Sequence, residues 1–588
     1  APVAYWISAC MREVFERGTS LSNFAIVRNG MKTGDNDRFL RLWWEVGYCK
    51  VAIRTKNFIE AQQSKAKWFP YNKGGGYRKW YGNNDYVVNW ENLGNEIFNS
   101  AKADGRNVQD YPLELKFVPS LTWSLITSSK PSFRFKSGNL SDIAGMSLFA
   151  DEEKIKRYLG FCNSPIALDI LKLIAPTLNF QAGDIARIPI IDDVNTDTNF
   201  IVGVDQNIKA SQLDWDSFEN SWDFSIFPLM NIKFQHTKLQ VSYQKLRSYW
   251  LEMTLKMRSL EENNNRIFIK AYGLQGELIP EVSLKDITLS CNPYYRYGKE
   301  EPLIESDKHE LNEKNSNNSF ALLIQKEFPI NEELEKRLLI DTMKEFVSYA
   351  VGCMMGRYSL DKPGLVYANA GNEGFDPTEY KTFPADDDGI VPVCDMDWFA
   401  DDATPRLAEF IKTVFGVETF DENLAWIAES FEPKKGETPV ETIRRYFSTQ
   451  FFKNHMQMYK KRPIYWLFSS GKQRAFECLV YLHRYNESTL ARMRAQYVTP
   501  LQGKLNARIE HLRRETDSAG STAAKTKLRK EVEMLAKKQT ELAKFDEELR
   551  HYADQRIKIN LDDGVRVNYG KFGTLLAETK AITGGTDE

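Results

Sequence analysis

The sequence predicts an α+β protein: a mixed α/β domain over residues 1–195, then a largely α-helical C-terminal region carrying a long antiparallel helical hairpin. Three observations support this. Short β-rich runs separated by Gly, Pro and Asn turns fill the first 150 residues. Apolar residues at helical spacing fill residues 237–274, and coiled-coil-like leucines run from Leu501 to Leu549. At 588 residues the chain is too long for one core, so two to four domains are expected. Its 42% hydrophobic and 27% charged residues are an ordinary soluble balance with enough apolar surface for several cores.

In chain order, a helical pattern opens with Tyr5, Trp6, Met11, Val14 and Phe15, and "YVVNW", "LKFVPSLTWSLI" and "FRFKSG" follow as strand-like runs. "ADEEKIKRYLGFCNSPIALDILKLIAP" has helical spacing, and "LNFQAGDIARIPII" closes the block with a strand-like tail. Residues 196–290 read as a helical connector, in which "DWDSFENSWDF" leads into a long amphipathic stretch ending at "RIFIKAYGL". Residues 291–440 read as an irregular, acidic α+β region, and residues 441–500 as helix rich in cations and aromatics. Leu501, Leu505, Ile509 and Leu512, then Leu528, Val532, Leu535, Leu542 and Leu549, flank the turn-like "DSAGSTAA", so a helical hairpin is expected over about 501–550. "INLDDGVRVNYGKFG" reads as a docked terminal strap and "TGGTDE" as a frayed end. There is no internal repeat.

The net charge of −2 conceals local polarity. Residues 1–140 hold 20 Lys+Arg against 12 Asp+Glu, residues 371–430 hold 3 against 15, and residues 441–514 hold 15 against 4. Two basic blocks around an acidic one suggest a polyanion partner held at two places. The alternative is solvated faces that happen to cluster. The seven cysteines are odd in number and scattered without a CxxC pair, which argues against a disulfide framework or structural zinc and fits a reducing cytoplasm. No signal-peptide pattern or bilayer-length apolar run is present, so no membrane partner is expected. The opening "APVAYW", without Met, suggests a processed chain or an excised portion.

Most catalytic chemistry fails on spacing. In "WLFSSGKQ", Gly471-Lys472 resembles the end of a phosphate-binding Walker loop, but Trp466 stands where the first Gly is needed and Gln473 where the hydroxyl is needed. His236, His309, His455, His483, His511 and His551 are dispersed and form no metal or triad spacing, so they read as structural or surface histidines. Asp386, Asp387, Asp388, Asp395 and Asp397 have the chemistry for a divalent cation but not the spacing of a calcium loop. A solvated loop or an intramolecular partner for the basic blocks is the better reading. "NPYY", from Asn292 to Tyr295, approaches the Asn-Pro-Pro-aromatic loop of amino-methyltransferases but has Tyr294 for the second Pro. The chain also lacks the Asp/Glu-x-Gly-x-Gly turn such enzymes use, and a turn with packed tyrosines is favoured.

The positive indications are for nucleic acid. In "KWFPYNKGGGYRKWYGNN", residues 67–84, Lys67, Lys73, Arg78 and Lys79 supply charge for phosphates. Trp68, Tyr71, Tyr77, Trp80 and Tyr81 offer flat faces for sugars or unstacked bases. Gly74, Gly75 and Gly76 permit close backbone approach, while Asn72, Asn83 and Asn84 can read base edges or make turns. The competing reading is a flexible hairpin tip over an aromatic core. "NGMKTGDNDRF" is a second tight turn, in which Lys32 and Arg38 lie beside Thr33, Asp35 and Asn36 and either cap a helix or position phosphates. "KKRPIYWLFSSGKQRAFECLVYLHRY" repeats the theme: its aromatics read as core at helical spacing, and Lys460, Lys461, Arg462, Lys472 and Arg474 remain candidates for a backbone track.

These segments, with "TGDNDRFLRLWWEV", "GFCNSPIALDILKLIAPTLNFQAGDIARIPI", "NPYYRYG", "GCMMGRYSLDKPGLVYA" and "DDGVRVNYGKF", resemble in order the C-terminal half of the PglX family. That family comprises adenine-specific DNA methyltransferases of BREX bacteriophage-defence systems. The segment "NSPIALDILKLIAPTLNFQAGDIARIPI" is also similar, more loosely, to the ends of target-recognition domains in type I specificity subunits and fused restriction-modification enzymes.

The resemblance implies a DNA target-recognition domain at residues 1–195, followed by the connector, the acidic region and a helical region over 441–588. It implies S-adenosylmethionine as cofactor, bound by a domain absent from this chain, with no catalytic or metal-ligating residue within it. Expected partners are double-stranded DNA, the N-terminal methyltransferase domain, other phage-defence proteins and acidic DNA-mimicking inhibitors, in the cytoplasm. Phosphate-gripping roles fall to Lys32, Arg38, Lys73, Arg78 and Lys79, and base-edge or sugar roles to Asn72, Tyr77, Tyr81, Asn83 and Asn84. Thr33, Asn36 and Gly75 complete the DNA-binding set. The alternatives are a non-enzymatic scaffold for other defence proteins, or the specificity part of a restriction-modification enzyme.

Overall fold

The structure is a computed structural model and describes residues 7–106, 109–128, 130–191, 199–300 and 329–584. The fold is α+β, as the sequence predicts. Two compact units divide the chain: Ala1–Trp43, Lys50–Trp222 and Gln244–Leu338 form the first, and Trp44–Cys49, Asp223–Tyr243 and Leu339–Glu588 the second.

The first unit contains a pair of two-residue strands and two small sheets. β1 (Thr19–Ser20) pairs with β10 (Pro189–Ile190). In one four-stranded antiparallel sheet the order is β2 (Ile26–Arg28), β9 (Gly145–Phe149), β6 (Ser120–Ser124) and β7 (Phe133–Lys136). In the other it is β3 (Leu40–Leu42), β5 (Tyr86–Asn89), β4 (Trp68–Asn72) and β8 (Leu140–Ser141), with only β4–β8 parallel. The expected runs thus become β5, β6 and β7. Every residue of β6 is buried, so Leu121 and Trp123 line one face while Thr122 and Ser124 line the other. Phe69, Tyr71, Val88, Trp90, Ile97, Phe117 and Leu140 build the core of the second sheet.

Helices complete the unit. Ala9–Arg17 buries Met11 and Val14 beneath a Ser8 cap, while Phe15 faces outward; Tyr5 and Trp6 lie outside the described residues. Glu152–Cys162 starts where the Asp151 side chain accepts from Lys154 N, and Pro165–Ile174 begins with its proline in the first turn, where no N–H is missed. Asn199–Trp215 follows. The 33-residue helix Leu239–Ala271 contributes its residues from Gln244 onward.

The second unit sharpens one expectation and corrects another. Within the irregular, acidic α+β region 291–440, Glu332–Met354 (in this unit from Leu339 onward), Ala403–Phe415 and Phe420–Glu429 are helices. Met343, Phe346, Val347, Tyr349, Ala350 and Val351 are all buried, so the C-terminal part of the first helix has little polar stripe to reveal its period. Within residues 441–500, read as helix, β12 (Tyr465–Ser469) and β13 (Glu477–Tyr481) form an antiparallel hairpin, with β11 (Ile390–Pro392) on the other side of β13. All of β13 and most of β12 are buried, which erases the alternation that marks a half-exposed strand. Their aromatics are core, as expected.

"SSGKQRA" is the turn of that hairpin. The Glu541 carboxylate accepts from Ser470 Oγ at 2.8 Å, Gln473 N at 2.6 Å and Ala475 N at 3.2 Å. Glu541 belongs to Thr522–Asp554, which packs on Thr499–Ser518 to make the long hairpin. Leu501, Leu505, Ile509, Leu512, Leu535, Leu542 and Leu549 are buried there, and Leu528 and Val532 only half-buried.

The acidic run is used internally. Asp395 pairs with buried Lys538 at 2.7 Å, Asp397 and Asp402 flank Arg444, and Arg484 donates to the carbonyls of Asp386 and Asp387. His455 and His483 are buried, and desolvation pushes each down to about 3. The His455 Nε2 accepts from Ile464 N and Tyr465 N. His309 lies outside the described residues. Gly564–Gly570 docks as a strap: Val565 N donates to Glu45, and Tyr569 meets Trp466 edge-on at 5.2 Å. Residues 585–588, the expected frayed end, lie outside the described residues. Among the described residues no helix is long and apolar enough to cross a membrane, and no group of three or more His, Cys, Asp or Glu is placed to hold a metal.

Candidate nucleic-acid interface

The glycine stretch is the connection between β4 and β5, because Tyr71 and Tyr86 face one another across the ladder. Gly74 has φ +76 and Gly75 φ +139, and a Cβ on Gly75 would lie 2.6 Å from the Asn83 side chain. Both positions therefore need glycine. The tip is pinned rather than loose: Ser124 Oγ donates to Gly75 O at 2.9 Å and Asn83 Nδ2 to Gly76 O at 3.0 Å. Gly75 and Gly76 are exposed, and their N–H groups meet no acceptor among the described residues. Exposed backbone amides without an internal acceptor suit an anion.

Past the tip the chain turns inward, which corrects two assignments. Arg78 and Lys79, expected on phosphates, are buried. Arg78 lies 2.8 Å from Asp214 and 5.1 Å over the Trp215 ring, and also donates to Ser211 O and Ser290 Oγ. Asp214 additionally accepts from Ser290 N and Cys291 N. Lys79 bonds Glu261, whose other oxygen accepts from Trp80 Nε1 at 2.6 Å. Burial raises the Glu261 carboxyl, with Lys79 and Trp80 opposing. The Arg-Lys-Trp run is thus a strap from the sheets to Asn199–Trp215 and Leu239–Ala271, held by charges that have left water in pairs.

The asparagines and tyrosines divide similarly. Asn72 is fully buried and donates to Gly145 O at 3.0 Å, and buried Asn84 accepts from Lys136 at 2.6 Å, so neither amide reaches a base edge. Tyr77, Tyr81 and Asn83 are half-buried. The Tyr77 carbonyl accepts from Tyr295 O–H, its ring lies 5.4 Å from the Lys130 ammonium, and burial raises its phenol. The Tyr81 carbonyl accepts from Arg78 Nε. In "NPYY", Asn292 is buried and caps Pro293–Arg296, its amide donating to Leu284 O and Ile287 O.

The second turn meets the first. Asp35 caps Asn36–Phe39 by accepting from Arg38 N. Asn36 Oδ1 accepts from buried Thr33 at 2.8 Å and from Lys73 Nζ at 3.4 Å, and Lys73 also pairs with Asp142 at 2.8 Å. Thr33, Asn36 and Lys73 therefore gather at one place. Lys32 and Arg38 are exposed, Arg38 already 2.8 Å from Glu96.

Sequence reasoning missed Asp142, Arg106, Arg134 and Lys136. Arg106 donates to Gly34 O at 2.8 Å. Arg134 donates to Arg78 O and Ser124 Oγ, and Lys136 to Asn83 O at 2.9 Å and Asn84 Oδ1. Burial pushes Lys136 down to about 7, with Arg134 adding to this and Asp85 opposing, and pushes Arg134 down to about 10. The signal for these two was present: in β7, "FRFK", two cations alternate with two phenylalanines on a strand buried almost throughout.

No family model matches the chain. It is 42% identical over 602 residues to a protein of Escherichia coli O9:H4 (strain HS) named adenine-specific methyltransferase BrxX, with 100% of this chain and 46% of that protein covered. It is 35% identical over 595 residues to one of Lacticaseibacillus casei (strain Zhang) named adenine-specific methyltransferase PglX, with 99% of this chain and 45% of that protein covered. The chain spans about half the length of the curated relatives it matches.

Proposed function

We propose that this chain is the DNA-engaging, target-recognition part of a site-specific adenine methyltransferase acting in BREX-type phage defence. The observation that carries the reading is similarity along the whole chain to part of two proteins named adenine-specific methyltransferases. The methyl donor, S-adenosylmethionine, is assigned to residues outside this chain: its glycine-rich turn joins two antiparallel strands rather than a strand to a helix, and no Asp/Glu-x-Gly-x-Gly turn is present. What these residues contribute is grip and register on duplex DNA while the base is methylated elsewhere.

The geometry supports a phosphate-contacting patch of the Gly75 and Gly76 amides with Lys32, Asn36, Arg38 and Lys73. Tyr77, Tyr81 and Asn83, at its edge, are the remaining candidates for sugar or base contacts. The test is duplex binding measured across a salt series. Lys32→Ala with Lys73→Ala should weaken binding and reduce the slope of log affinity against log salt by about 2. A double variant that binds like the parent at every salt concentration would remove the patch from the DNA interface.

A further inference from the structure

Among the described residues no carboxylate is bonded to either buried cation of β7, yet each donates to the glycine loop or its support. Buried charge is costly and is ordinarily paired with an opposite charge. Here the acceptors are neutral oxygens: Arg78 O, Asn83 O and Asn84 Oδ1 in the β4–β5 connection, and Ser124 Oγ and Ser132 beside it. On one side Arg134 donates to Ser124 Oγ at 3.1 Å, and that hydroxyl donates onward to Gly75 O at 2.9 Å. On the other side Lys136 donates to Asn83 O at 2.9 Å, and the Asn83 side chain donates to Gly76 O at 3.0 Å. Each cation is thus one residue removed from a carbonyl of the exposed tip. In a trans peptide the C=O and the following N–H point in opposite directions, so holding the Gly75 and Gly76 carbonyls turns the Gly76 and Tyr77 N–H groups away from those contacts, free to meet an anion.

We propose that Arg134 and Lys136 are positioning residues for DNA binding: they fix the glycine loop so that the Gly76 and Tyr77 amides face a backbone phosphate. The inference rests on the DNA-binding reading above. It departs from the usual role of basic residues in such proteins, because neither cation reaches solvent. Loop entropy lost in folding is not lost again on binding, so the effect is on affinity rather than on charge.

That distinction sets the experiment. Lys136→Met keeps length and volume but removes the donor; Lys136→Gln keeps an N–H donor without the charge. The full chain is used throughout, with duplex DNA as the probe and folding checked by circular dichroism and melting. Lys136→Met should weaken binding about tenfold with the salt slope unchanged, since no phosphate contact is lost. Hydrogen exchange in peptides covering residues 73–85 should rise, and Lys136→Gln should recover part of both losses. Lys73→Ala, by contrast, should lower the slope by about 1.

A folded Lys136→Met with parental affinity and parental exchange overturns the proposal. So does a slope that drops by about 1, because Lys136 would then itself be a phosphate contact. If Lys136→Met does not fold, Lys136→Gln decides by the same readouts. If the parent chain shows no salt-dependent DNA binding, the functional reading fails, and the exchange measurement still determines whether these cations hold the loop.

Discussion

The Arg78 guanidinium lies 2.8 Å from the Asp214 carboxylate, with both side chains almost wholly out of solvent. Removing one partner leaves the other charged and buried, so Asp214→Ala should cost about 3–5 kcal/mol. The exposed pair Arg38–Glu96 should yield roughly 0–1 kcal/mol in the same assay. Chemical denaturation of the two single variants decides this, and comparable losses would contradict the strap.

Gly75 and its neighbour Gly76 should respond differently to alanine. At Gly75 a Cβ meets the Asn83 side chain at 2.6 Å and φ is +139, whereas at Gly76 nothing lies within 4 Å. Gly75→Ala should therefore displace the tip and lower DNA affinity, while Gly76→Ala should be nearly silent on stability. Melting curves and binding isotherms of the two variants provide the comparison.

Lys136 carries a pH signature. Burial lowers it to about 7, with Arg134 pushing the same way and Asp85 the other. Between pH 7 and about 10 the unfolded chain retains a proton that the folded chain has released, so this residue's contribution to stability rises with pH. A neutral amine still donates, so the loop contacts persist. The melting temperature of the parent relative to Lys136→Met should increase from pH 7 to pH 9, and a constant difference would count against the assignment.

At the β12–β13 turn, Glu541→Ala removes the acceptor for a hydroxyl and two amides. The turn is partly solvated, so the expected loss is about 1–3 kcal/mol. Proteolysis within residues 470–475 should quicken in the variant.

Legibility followed exposure. The leucines from Leu501 to Leu549 and the turn residues between them were readable because a two-helix hairpin leaves a polar face to contrast with its seam. β12 and β13 were not, because burial on both faces leaves no alternation. In the candidate interface, Lys73, Thr33 and Asn36 were found by proximity to turns and do meet. Arg78 and Lys79 were misplaced for a physical reason: composition records a positive charge but not the Asp214 and Glu261 that come from over 100 residues away to neutralise it. Only the strand period of "FRFK" hinted that basic residues lay underneath.

Glu541 gives the "SSGKQRA" turn a resident anion. Its carboxylate is tethered to the same polypeptide and so competes at the high effective concentration of an intramolecular ligand. A free phosphate approaching the Gln473 and Ala475 amides must displace it and repel its charge. The turn is thus filled by its own carboxylate, a second reason, beside the missing glycine and hydroxyl, why a motif resembling a phosphate loop holds no phosphate.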